Sequence, residues 1–257
     1  VTKFLRFTCD GPVAELELAN PPLNLVTTEM LGELLDVVST ITQRHDILAL
    51  IVHGGDGRAF CAGSDMTEFA SVAERAAERK ILPEDHALRL LASLPMPTIA
   101  AIDGPALGGG LELALACDIR VAHSTATLGL TETRIGGLAA SGAVRLTTLI
   151  GPSRALELLV TGRVLSARDA ERWGVVNQVS ETATALETAR VLAAEIAARG
   201  PLSNRLAKQL VNAAVDLPLD AALSQGVRAQ ELVFRSSDLR EGTASFFEKR
   251  RPEFSGA

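Results

Sequence analysis

The stretch TIAAIDGPALGGGLELALACD, Thr98 to Asp118, sets the fold class. Thr98 to Ile102 is a short apolar run closed by Asp103-Gly104, the pattern of a strand buried on both faces. Gly108-Gly109-Gly110 then hands over to the apolar run Leu111 to Ala116, which predicts a helix, and Ile119 to Ala122 supplies a further strand. Strand, glycine loop, helix and strand in that order predict an α/β protein with parallel pairing.

The same rhythm extends towards the N-terminus. Ile47 to Val52 is another apolar run, bounded by His53-Gly54-Gly55. Before it, Met30, Leu31, Leu34, Leu35, Val37, Val38 and Ile41 recur with helical spacing behind Thr27 or Thr28 as N-cap. Phe4 to Leu18, broken at Gly11-Pro12, predicts a hairpin. From Ser153 onwards the residues are mostly helix formers: Arg154 to Val160, Ala167 to Trp173, Leu186 to Ala198 and Leu202 to Val215. Such a helical layer often packs against a neighbouring subunit.

A chain of 257 residues is long enough for one large domain, or one domain with a helical appendage. It is 47% apolar, 22% charged and only 4% aromatic, so its core must rest on Ala, Leu, Val and Ile. The net charge of −6 offers no general attraction for nucleic acid or an anionic membrane, and an anionic ligand needs a local basic patch. Cys9, Cys61 and Cys117 are odd in number and lack metal-ligand spacing, which points to a reducing, cytoplasmic setting. Val1 to Asp10 has no apolar stretch of signal-peptide type, and no window reaches the ~18 apolar residues of a membrane span.

Several chemistries lose their usual markers. His45, His53, His86 and His123 are scattered, so no metal site is expected, and there is neither a dinucleotide fingerprint, a P-loop nor a nucleophile elbow around Ser64. Cys61 is read as a small packing residue and Trp173 as core.

Two glycine-containing loops remain, Gly54 to Asp65 and Asp103 to Glu112, each after a buried strand and before a helix. Each can present backbone N–H groups at a positive helix end, and two converging donors form an oxyanion hole. Close helix–strand packing would also explain the glycines. Glu112 lies three residues beyond Gly109, nearly one helical turn, which hangs its carboxylate beside the Gly109 amide. It either faces water or is buried with its pKa raised towards neutrality. Glu132, taken with its neighbours alone, reads as a surface residue.

Arg58 to Asp65 (RAFCAGSD) and Gly104 to Asp118 (GPALGGGLELALACD) resemble the two signature segments of the crotonase, or enoyl-CoA hydratase/isomerase, superfamily. The resemblance spans essentially the whole chain, including Asn20 to Asn24 and Phe246 to Phe254. It implies a crotonase-like α/β spiral of repeated ββα units over residues 1–195, with a helical trimerisation region over 196–257. It also implies that the peptide N–H groups of Ser64 and Gly109 hold a thioester oxygen; Ser64 replaces a usual alanine, which leaves that donor intact. Glu112 and Glu132 match the two acids that hold one water in the family's hydratases. Glu112 would take a proton from that water as it adds to C3 of an enoyl-CoA, while Glu132 delivers one to C2. Around Glu132 the sequence departs from the family's hydratases: Thr131 replaces a proline, and Gly136 to Gly142 replaces a proline-containing turn.

By the same resemblance, Ala62, Ser64, Asp65, Met66, Thr67 and Gly109 would contact CoA, joined by Phe246 and Lys249 from a neighbouring subunit. Coenzyme A is then part of the substrate and no separate cofactor is implied. A homotrimer, or a hexamer of two trimers, is the implied assembly. The sister reading is isomerisation, or lyase or hydrolase chemistry on another acyl-CoA at the same oxyanion hole. A non-catalytic or RNA-binding member of the superfamily is the other alternative, disfavoured by the net charge and the two retained acids.

Overall fold

The computed structural model describes residues 2–257. Its centre is a six-stranded sheet built from β1 (Leu5–Asp10), β2 (Val13–Leu18), β3 (Ala49–His53), β4 (Thr98–Ile102), β6 (Ile119–His123) and β9 (Gln178–Ser180), paired in that order. β1 and β2 form the antiparallel hairpin expected at Gly11-Pro12, and every later pair in this sheet is parallel. A small second sheet joins β5 (Ala106–Leu107), β7 (Thr127–Gly129) and β8 (Leu165–Ser166).

Alternation along β3 and β4 divides the interior in two. Leu50, Val52, Ala100 and Ile102 face the larger core with Leu16, Leu91, Leu113 and Leu146. Ala49, Ile51, Ile99 and Ala101 face the other way, onto Ala185, Ala189 and Ala193 of α8 (Ala185–Ala197). The alanine stripe at every fourth residue lets that helix lie close to the sheet. Covering on both faces is why these strands read as unbroken apolar runs.

The larger core is closed by α1 (Thr28–Thr42), capped by the Thr27 side chain, with α3 (Leu82–Ala92), α4 (Gly109–Ala116) and α5 (Ala140–Ile150). The short helix α2 (Phe69–Val72) lies between β3 and α3; α6 (Pro152–Thr161) and α7 (Ala167–Trp173) follow α5. The chain ends in α9 (Pro201–Asp216), α10 (Leu219–Arg235) and α11 (Ser237–Glu248), as the helix-forming composition predicts. α9 is tied to the sheet by Lys208, whose Nζ lies 2.7 Å from Asp118 Oδ2 and donates to the Met96 carbonyl. Asp118 Oδ2 also accepts from the amide and hydroxyl of Thr98.

Two expectations change. The turn expected over Gly136 to Gly142 ends at Ala139, and helix α5 takes up the rest of that segment, Gly142 included. Trp173 is only partly buried: it packs on the core edge with the guanidinium groups of Arg154 and Arg163 at 5.3 and 5.7 Å from its ring. Cys61 is buried, and burial pushes its thiol up to about 12, as suits a packing residue.

Candidate active site

The first loop is shaped by Asn24, which is buried to within 1%. Its Nδ2 donates to the carbonyls of Gly54, Ala59 and Phe60 at 2.8, 3.0 and 3.2 Å, while its Oδ1 accepts from the Asn20 amide. Next to it, Val26 and Ser64 form a parallel bridge in which Val26 donates to the Gly63 carbonyl and Asp65 donates to the Val26 carbonyl. Ser64 lies between the two bonded groups, so its own N–H points the other way. Asp65 then caps the turn Met66–Glu68 through the Thr67 amide, and Glu68 accepts from the Thr28 amide at the start of α1.

The second loop crosses the first through a Cys61–Ala106 bridge. Leu107 donates to the Cys61 carbonyl and Gly108 donates to the Gly129 carbonyl. Gly108 has φ +52°, a backbone conformation that favours glycine, and a β-carbon on it would stand 2.7 Å from Glu132 Oε1 and displace that carboxylate. Gly109 begins α4, where the first amides have no partner within the helix. Among the described residues neither the Ser64 nor the Gly109 amide has a protein acceptor. The two residues are neighbours: a β-carbon on Gly109 would lie 3.7 Å from the Ser64 nitrogen and 3.3 Å from its hydroxyl oxygen.

Both residues line a cavity of about 680 Å³, which also receives Glu112 and Glu132. Glu112 is 7% exposed, so of its two open placements the structure selects the buried one. Its Oε1 accepts from the Gly142 amide at 2.6 Å, in the first turn of α5, where the helix end favours a negative charge. Burial nevertheless dominates and pushes its pKa up to about 7; the charges of Glu84 and Glu132 add to the rise, against the Gly142 bond and Lys80.

Glu132 opens a 3-10 turn, Glu132–Ile135, and is half-buried in the same cavity. Its surface reading therefore fails, because Gly108 and Gly137 bring separate backbone segments against it. Burial raises its pKa as well, and its Oε2 is buried without a hydrogen-bond partner. A cavity with two donors for a developing oxyanion and two acids whose pKa values burial raises, Glu112 to about 7, has the parts for enolate chemistry on a carbonyl compound.

Ala62, Asp65, Met66 and Thr67 line this cavity too. Phe246 and Lys249 lie outside it: Phe246 is 78% exposed near the end of α11, and Lys249 caps that helix. Lys80 and Glu84 also line the cavity. Their i, i+4 spacing was visible, but it equally describes a solvated face.

The sequence model of the enoyl-CoA hydratase/isomerase family matches residues 8–257. The Bacillus subtilis protein YngF, named for that family, is 39% identical over 255 residues, covering 98% of each chain. The human mitochondrial enoyl-CoA hydratase domain-containing protein 2 is 38% identical over 255 residues, 96% of this chain and 87% of its own. The crystal structure of an enoyl-CoA hydratase from Bacillus anthracis superposes with a TM-score of 0.95 at 35% identity, over 99% of this chain and all of that one. The chain belongs to the enoyl-CoA hydratase/isomerase family, and its α/β architecture is the crotonase fold. Among the described residues no helix is long and apolar enough to cross a membrane.

Proposed function

We propose that the protein is an enoyl-CoA hydratase, adding water syn across the 2,3 double bond of an enoyl-CoA to give a 3-hydroxyacyl-CoA. The observation that carries this reading is the pair of acids, Glu112 and Glu132, in the cavity of the unpartnered Ser64 and Gly109 amides. Attack of water at C3 drives charge onto the thioester oxygen, where two fixed N–H donors lower the barrier. Glu112, with a pKa of about 7 and its carboxylate oriented by Gly142, takes the proton from water. Glu132 supplies the proton to C2, and its unpartnered Oε2 has the valence to share a water with Glu112. Isomerisation needs a proton moved between carbons and no added water, so a second acid in the cavity favours hydration.

Ala62, Asp65, Met66 and Thr67, with the backbone of Ser64 and Gly109, form the CoA-side wall in this reading. Exposed apolar residues on α9 to α11, among them Val211, Leu223, Val227, Phe234 and Phe247, support assembly as a homotrimer or a pair of trimers. In that assembly Phe246 and Lys249 serve a neighbouring chain's CoA. The reaction calls for no metal or redox group, and the unpaired Cys9, Cys61 and Cys117 suit a cytoplasmic location. Crotonyl-CoA and longer 2-enoyl-CoA thioesters test the activity through loss of the conjugated-thioester absorbance and identification of the product. A 3-hydroxyacyl-CoA is expected; a 3-enoyl-CoA without hydroxyacyl product would assign isomerisation in its place.

A further inference from the structure

Lys80 lies in the π-helical turn Ala77–Ile81, and Glu84 lies in the first turn of α3. Their side chains are 12% and 18% exposed, and Lys80 Nζ stands 3.4 Å from Glu84 Oε2. Nζ is buried and makes no hydrogen bond to the protein. An ammonium group has three N–H donors, and the Glu84 carboxylate beside it can answer only part of that demand, which is costly to leave unmet in a buried place. Much of the surrounding wall is apolar, with Leu25, Phe69, Ile81, Leu107 and Leu138. A plain hydrocarbon chain filling this cavity would offer Nζ no hydrogen bond.

We infer that the acyl group of the substrate carries an oxygen function beyond its reacting double bond, which accepts a hydrogen bond from Lys80. The inference rests on the enoyl-CoA reading and narrows it to oxygen-bearing acyl-CoA thioesters. Glu84, Glu112 and Glu132 line the cavity together with two cations, Lys80 and Arg134.

The test is kcat/KM for 2-enoyl-CoA thioesters of increasing length, each made with a methyl, a hydroxyl and a carboxylate end, using the intact protein and its Lys80→Met and Lys80→Arg variants. At one chain length an oxygen-bearing end should exceed its methyl analogue at least about tenfold, since a site built to bond an oxygen rejects the analogue lacking it. The hydroxyl and carboxylate arms identify which oxygen is taken. Lys80→Met should abolish the preference and Lys80→Arg should restore part of it. Turnover that favours methyl ends at every length, or a preference that survives Lys80→Met, would overturn the inference while leaving hydration intact. Failure to hydrate any thioester would overturn the hydratase reading and the inference together. The unmodified protein settles the preference by itself, so a variant that fails to fold does not remove the test.

Discussion

Gly110 of α4 lies so close to the Cys61 carbonyl that a β-carbon on it would stand 2.0 Å from the oxygen. This contact joins the two loops whose amides meet in the cavity, and it involves rigid backbone on the Cys61 side. Gly110→Ala must push the loops apart. We expect a loss of about 3 kcal/mol in urea unfolding, the upper end for overpacking, and loss of hydratase turnover even where the variant still folds.

Gly109 separates the two roles of a residue at the start of a helix. Proline is tolerated at the first helical position but has no N–H. Gly109→Ala keeps the donor and places its β-carbon 3.3 Å from Glu84 Oε1 and Ser64 Oγ, both ends of side chains that can yield. Gly109→Pro should therefore lower kcat about 10²–10³-fold beyond Gly109→Ala, the effect of losing one oxyanion donor. Equal rates in the two variants would remove the amide from the mechanism.

Glu112 ties activity to stability through pH. Its pKa rises on folding from 4.5 to about 7 because of burial, so between those values the folded state holds more protons than the unfolded chain. Stability contributed by the neutral acid is thus present at low pH and lost as pH rises through 7, by about 3 kcal/mol. Glu112→Gln should flatten this segment of the stability–pH curve, measured by urea unfolding across pH 5 to 8. The same substitution should abolish hydration and the rise in kcat/KM with pH near 7 while leaving CoA binding largely intact. Near-normal turnover would reject Glu112 as the base.

The Lys208–Asp118 pair offers a check remote from the cavity. Lys208 has a side chain only 7% exposed, so Lys208→Met leaves the Asp118 charge without its partner. A cost of about 3 kcal/mol is expected in thermal or urea unfolding. Lys208→Met combined with Asp118→Asn should cost less than the two single changes added together.

The parts legible from sequence are those fixed within a few residues. Glu112 is the one charge in an apolar helical run, which left it two placements, and the structure gives the buried one. The runs Ile47 to Val52 and Thr98 to Ile102 announced β3 and β4 because covering on both faces leaves no polar alternation. Glu132 was different: Thr131, Thr133 and Arg134 beside it are polar, and its burial comes from Gly108 and Gly137. Only the chain path between α4 and α5 creates that environment. The burial of the Lys80–Glu84 pair was not legible either, since a salt bridge at helical spacing looks the same whether it faces water or a cavity. Helix α5 escaped notice because Gly142 lies within it, close enough to Gly136 and Gly137 to look like one loop.

The Asn24 clasp has a consequence for selectivity. Three carbonyls of one loop are held by a single buried amide before any thioester arrives, so the Ser64 donor keeps its aim in the empty cavity. A stiff donor of this kind rewards only an oxygen that lands where it points. Thioesters bound askew gain little from it, and the enzyme sorts its substrates by the placement of one atom as well as by the shape of the acyl chain.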